Sequence, residues 1–302
     1  MIDLALDAVE NVLTLDQPDG YRTHYRRWGP ATADDVVVML HGGMSHSGWQ
    51  FPLGTRLGRR PGTAFVAVDL RGSGLNAGRG HIPSADLAVG DIVQVLRHLH
   101  RDYRRIHLAG WCFGAQVATV AAARLADEAV VASLIMVSPG FFFTDRYSDV
   151  LDRSVDSALA VVEELGLTPE PTRAYISVPL KASDFTDRRD WHEFIDADPL
   201  RLLRVTSGTI DAWEEIAIGS ETDYARIGPI RVLAVFGTGD KLVDNQRVQA
   251  FLTDRPDVRV HRLDTGHAIH FDDADALCGL IEAHLRDEPR AVAGRTAAPA
   301  SP

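Results

Sequence analysis

The sequence predicts an α/β fold: a mostly parallel central sheet flanked by helices, with a helical segment inserted between two of its strands. Three observations carry that expectation. Short, almost wholly apolar runs rich in Val, Ile and Leu recur along the chain. Stretches with a helical period separate them. One long acidic stretch, Phe141 to Ala225, breaks the alternation. Runs without a polar face are what strands look like when helices cover both sides of a parallel sheet.

The elements follow in order. Leu4–Leu15 and Tyr21–Trp28 read as an antiparallel hairpin leading in. Val36–Leu40 (VVVML) is a buried strand ending at His41-Gly42-Gly43, and Ala64–Leu70 (AFVAVDL) is a second. Asp86–His100 reads as an amphipathic helix, with Ile92, Leu96 and Leu99 on one face and Gln94 and Arg97 on the other. Ile106–Ala109 is a third strand entering Gly110, followed by a helix over Gln116–Glu128. Ala132–Val137 is a fourth strand, stopped by Ser138-Pro139-Gly140. The acidic stretch then supplies helix candidates at Val150–Leu165 and Asp198–Ile218, with breakers at Pro169, Pro171, Pro179 and Pro199. Ile230–Phe236 and Val258–Leu263 are the fifth and sixth core strands. The expected organisation is therefore a core over 1–140 and 226–288, a helical lid over 141–225, and a disordered tail over 289–302.

Composition narrows the function. The 302 residues carry a net charge of −11. The 141–225 stretch holds 18 acidic and 8 basic residues, a net of −10, so nearly all the excess lies there. An acidic protein with no basic stripe is a poor partner for nucleic acid. No apolar run reaches the roughly 20 residues of a membrane helix. The acidic start lacks a secretory pattern, so the expected location is the cytoplasm. Two cysteines, Cys112 and Cys278, exclude a disulfide scaffold and a cysteine-rich zinc site; no metal or cofactor is expected.

The chemistry centres on Gly110-Trp111-Cys112-Phe113-Gly114. A strand precedes it and an Ala-rich helix follows, as in a nucleophile elbow with Cys at the central position. The helix N-terminus favours an anion there. The N–H of Phe113 would point at a developing oxyanion. Taken alone, the pentapeptide is equally compatible with a small buried residue in a tight turn. Two further positions change the balance. Asp240 lies just past one apolar strand, in Phe236-Gly237-Thr238-Gly239-Asp240. His267 lies just past the next, in Asp264-Thr265-Gly266-His267. Their order is nucleophile, acid, base. His267 would take the thiol proton, and Asp240 would fix its tautomer. His41-Gly42-Gly43 supplies a second candidate oxyanion donor, the N–H of Gly43.

These motifs, together with Val68-Asp69-Leu70-Arg71-Gly72-Ser73-Gly74, resemble the α/β-hydrolase superfamily. Gly78-Arg79-Gly80-His81-Ile82-Pro83-Ser84 is similar to its monoacylglycerol-lipase and lysophospholipase branch. The resemblance runs from Val36 to Asp272, outside the acidic insertion, which occupies the family's lid position. It implies a triad of Cys112, His267 and Asp240 acting on a small-molecule acyl substrate. Cys112 departs from the usual serine and shares that feature with dienelactone hydrolases and some thioesterase domains. His270 and Asp244 are the alternative base and acid. His46, Trp49 and Trp111 are candidates to line the pocket. Asp69 and Arg71 are expected to hold a loop, Cys278 to be core, and Arg97, Arg101, Arg104 and Arg105 to form a solvated face.

A thiolate is a stronger nucleophile than an alcohol and a better leaving group. Activated acyl groups therefore suit it: thioesters, enol or aryl esters, and strained lactones. The expected activity is their cleavage through a thioester acyl-enzyme with release to water. Transfer of the acyl group to an amine or alcohol is the alternative, and a non-catalytic ligand-binding homologue is the competing class.

Overall fold

The computed structural model describes residues 11–149, 153, 156 and 175–286. Eight strands form one sheet in the order β1-β2-β4-β3-β5-β6-β9-β10. They are β1 (Asn11–Asp16), β2 (Arg22–Trp28), β3 (Asp35–Leu40), β4 (Thr63–Val68), β5 (Arg105–Trp111), β6 (Val131–Val137), β9 (Arg231–Gly237) and β10 (Val258–Leu263). β1 and β2 pair antiparallel and β2 meets β4 antiparallel, while β3 to β10 run parallel to their neighbours.

Alternation along each parallel strand divides the core. Val36, Val38 and Leu40 of β3 face one apolar layer, and Val37 and Met39 face the other. Val232, Ala234 and Phe236 of β9 share the first layer, with Leu233 and Val235 in the second. The first layer is closed by α2 (Ala85–Leu99) and α3 (Phe113–Arg124), the second by α1 (Phe51–Leu57) and α9 (Ala274–Arg286). Both faces are thus buried, which is why the strands lack a polar face.

Between β6 and β9 the described chain holds α4 (Ala182–Phe185), α5 (Arg189–Ala197), α6 (Ser207–Asp223) and the two-stranded pair β7 (Tyr175–Ser177) and β8 (Arg204–Thr206). Two short helices, α7 (Asn245–Leu252) and α8 (Ile269–Asp272), complete the core half that follows.

Several boundaries differ from expectation for local reasons. β5 runs on through Gly110 and Trp111, which pair with Met136 and Val137. β4 stops at Val68, because Asn76 Nδ2 binds the carbonyls of Asp69 and Leu70 and turns the chain. The helix expected over Asp198–Ile218 begins only at Ser207, where the Thr206 side chain accepts from the Thr209 N–H. Asp198 is held in a turn by the Leu200 N–H, and Arg204–Thr206 joins β7 instead. The expected helix over Val150–Leu165 falls outside the described residues apart from 153 and 156, and residues 1–10 and the 289–302 tail fall outside them too. Among the described residues, no helix is long and apolar enough to cross a membrane.

Candidate active site

The parallel strands deliver the candidate residues to one edge of the sheet, past their C-terminal ends, where open α/β sheets place their sites. Cys112 follows β5 and caps the start of α3 with φ 54° and ψ −121°. A side-chain-bearing residue in that region stores about 1–3 kcal/mol of strain. The surroundings hold it there: its N–H donates to Val137 O at 3.1 Å, and its carbonyl accepts from Ala115 and Gly140 at 3.0 and 3.1 Å. The flanking glycines are sterically required. A Cβ on Gly114 would lie 2.3 Å from Leu40 O, and one on Gly110 would lie 2.3 Å from Gly114 O.

Asp240 and His267 meet beneath this turn. Asp240 Oδ2 accepts from His267 Nδ1 at 2.8 Å, and both side chains are fully buried. Its Oδ1 accepts from the N–H groups of Leu242 and Val243, at 2.9 and 3.1 Å. The carboxylate is thereby fixed and the ring tautomer set, leaving Nε2 at the opposite edge. That atom is buried without a hydrogen-bond partner, and Cys112 stands close enough to act on the ring's charge. Burial alone would lower the imidazole pKa. The charges of Asp240 and Cys112 and the Asp240 hydrogen bond outweigh it and raise it to about 10.

The loop after β3 supplies the facing wall. A Cβ on Gly42 would sit 3.3 Å from the Cys112 Cβ, so this backbone runs against the Cys112 side chain. His41 pins the loop: Nδ1 donates to Gly42 O at 2.7 Å, and Nε2 accepts from the Leu70 N–H at 3.0 Å. Burial lowers the His41 pKa to about 4 against the opposing charge of Asp69, which keeps the ring neutral. Gly43 and Phe113, the candidate oxyanion donors, both border a cavity of about 600 Å³ that Cys112 also lines. Its walls are mainly apolar, including Met44, Phe143, Leu180 and Trp213.

The other candidates take different places. Trp111 lines the cavity, and its indole N–H donates to His267 O at 3.0 Å, which positions the His267 loop. His46 and Trp49 do not line it. Both turn away to Asp198, with His46 Nε2 and Trp49 Nε1 donating to Oδ2 at 2.7 and 2.5 Å. Asp244 caps α7, accepting from the Arg247 N–H, and stands away from the base. His270 is buried with neither nitrogen bonded, edge-on to Trp111 at 4.6 Å. Burial, then the neighbouring His267, lowers its pKa to about 3. Asp69 accepts from the N–H groups of Ser47 and Leu75, and Arg71 forks onto Asp91. Both hold loops. Cys278 is buried in α9, where burial pushes its thiol up to about 12.

Two supports escaped sequence reasoning. Asp272 accepts from the Gly266 N–H at 2.7 Å and from the Thr186 hydroxyl, and Phe185 O accepts from the Ala268 N–H at 2.7 Å. The segment between β6 and β9 thus grips the loop carrying His267. Contacts between parts so distant in sequence leave no local signal.

Similarity to known proteins agrees with this geometry. The fold is similar to a monoglyceride lipase of Saccharomyces cerevisiae, with TM-score 0.75 and 16% identity over 92% of this chain and 96% of that one. It is also similar to a monoacylglycerol lipase of Paleococcus ferrophilus (TM-score 0.68, 19% identity, covering 87% and 99%). A thioesterase domain from the curacin biosynthetic pathway aligns with TM-score 0.62 and 19% identity, covering 90% and 99%. No curated protein sequence matches the chain. Residues 31–274 match the hydrolase family described as serine aminopeptidase, S33, and this protein belongs to that family.

Proposed function

We propose that this protein is an acyl-group hydrolase that cleaves an ester, thioester or lactone through a thioester acyl-enzyme on Cys112. His267 and Asp240 complete the triad, and residues 141–225 form a lid over the cavity. The observation that carries the reading is a cysteine in a strained turn at a helix N-terminus, beside a histidine whose far nitrogen is fixed by a fully buried carboxylate at 2.8 Å. Membership of a hydrolase family supports it.

The chemistry follows from the geometry. Cys112 Sγ attacks the acyl carbonyl carbon, a C–S bond forms, and the thiol proton passes to His267 Nε2. The N–H groups of Gly43 and Phe113 receive the oxyanion. The charge and hydrogen bond of Asp240 raise the His267 pKa and stabilise the imidazolium that holds this proton. It hands the proton to the leaving alcohol or thiol as the tetrahedral intermediate collapses. Having given up its proton, His267 is neutral in the acyl-enzyme and takes one from the attacking water. The hydroxide attacks the thioester, Cys112 departs as thiolate, and the acid is released.

The test is turnover of a panel of thioesters, aryl esters and lactones by wild type and Cys112→Ala. Turnover of at least one class that falls by about 10³-fold or more in the variant is expected. Equal turnover in the two proteins would overturn the reading.

A further inference from the structure

Among the described residues that line the cavity, the charged groups are few and of one sign. Gln116 stands one turn into α3 from Cys112, is only 2% exposed and lines the cavity, and its side chain has no hydrogen-bond partner among the described residues. An amide that faces a mostly apolar cavity without a protein partner is free to bond a polar group of a bound molecule. α6 turns one face toward the cavity at helical spacing: Ile210, Trp213, Glu214 and Ala217. An acid thus sits inside an otherwise apolar stripe. Glu214 is exposed at the mouth, as is Asp156, and neither has an ion-pair partner among the described residues. Among the described residues, no Lys or Arg lines the cavity. Trp213 presents its ring beside Gly43 and packs against Phe113 at 5.6 Å.

Resting on the acyl-hydrolase reading, we infer that the substrate carries a cationic group, an ammonium, on the part that occupies the mouth of this cavity, where Glu214, Asp156 and the Trp213 ring receive it while the Gln116 amide binds a polar group deeper in. Two unpaired carboxylates attract a cation and repel an anion in a cleft with low-dielectric walls. An indole face adds a cation–π contact. Glu214 and Asp156 then select the substrate, and Cys112 and His267 act on it. Anionic acyl donors are excluded by the same charges.

The decisive experiment separates charge selection from turnover. Cys112 is modified with the trimethylammonium-ethyl and sulfonato-ethyl methanethiosulfonates and the neutral methyl reagent, each rate followed by peptide mass at Cys112. In this reaction the thiolate attacks the sulfenyl sulfur, a disulfide forms and methanesulfinate leaves. The cation-to-anion rate ratio, normalised to the same ratio for free cysteine, should exceed about tenfold at low salt and collapse at high salt. It should fall several-fold in Glu214→Gln and again in Glu214→Gln with Asp156→Asn. The same ordering is expected in kcat/KM for a trimethylammonium-tipped butyryl thioester against its tert-butyl isostere, with Gln116→Leu lowering both. A ratio near that of free cysteine, indifferent to salt and to both substitutions, would overturn the inference. Charge-selective labelling without turnover of any acyl donor would sustain it and remove the hydrolase reading. Turnover of neutral donors without charge selection would do the reverse.

Discussion

Asp198 offers the sharpest test of how the segment between β6 and β9 is tied to the core. Its Oδ2 accepts from His46 Nε2 at 2.7 Å and from Trp49 Nε1 at 2.5 Å, and its Oδ1 accepts from the Leu200 N–H at 2.9 Å. Trp49 is fully buried among Trp111, Phe185, Phe194 and Phe271, so its indole N–H has no water to turn to. Asp198→Ala leaves that donor and the His46 donor unsatisfied. At about 1–3 kcal/mol for each, the variant should lose about 3–5 kcal/mol. Asp198→Asn keeps one accepting oxygen and should lose about half as much. Urea unfolding followed by tryptophan fluorescence measures both, with an unchanged dependence on urea as the check that only stability moved. Burial disfavours the Asp198 charge, but the His46 hydrogen bond and the other donors outweigh it and lower its pKa. Its contribution is therefore present above the usual carboxylate range and lost as pH falls through the lowered value. The gap between wild type and Asp198→Ala should narrow there. A loss below about 1 kcal/mol at pH 7, or an Asn variant as unstable as the Ala variant, would refute this account of the contact.

Three further outcomes are expected. Asp240→Asn removes the carboxylate charge that does most to raise the His267 pKa, so NMR titration should find the imidazole well below about 10, and kcat/KM should fall by about 10²–10⁴. His270 and His284 are both held near pKa 3, by burial first and then by His267 and Arg231 respectively. The unfolded chain binds their protons at ordinary histidine values and the native state refuses them. Stability should thus be unaffected above about pH 6.5 and fall by about 1.4 kcal/mol per pH unit for each group toward pH 3, with His270→Phe removing one such slope in acid-unfolding curves. Cys112→Gly should be more stable than Cys112→Ala by about 1 kcal/mol in thermal unfolding, because glycine adopts φ 54° without strain.

The sheet was legible because its strands are covered on both sides. Apolar runs such as Val36–Leu40 and Ile230–Phe236 need no partner to be recognised, and their ends point to the site. The elbow was legible because Gly110 and Gly114 are where side chains would strike Gly114 O and Leu40 O. What stayed hidden depends on contacts across the chain. Nothing near His46 or Trp49 announces Asp198, more than 140 residues away, so two apparent pocket residues became anchors. β7 and β8 are three residues each, too short for a period to emerge, and exist by pairing with one another. Gln116 read as one helix residue among many, and only the fold shows that it lines the cavity. The acidity of the 141–225 stretch was visible as a sum, and Glu214 on the cavity-facing stripe of α6 gives part of that sum a position.

The central claim is that Cys112 carries the acyl group. Intact-mass spectrometry of the protein quenched in acid during turnover of a thioester or aryl ester tests it most directly. The account predicts one added acyl mass, mapped to the peptide bearing Cys112, absent in Cys112→Ala and accumulating in His267→Ala too slowly to detect on the turnover timescale. Turnover with no adduct at Cys112, or an adduct that persists in Cys112→Ala, would contradict it.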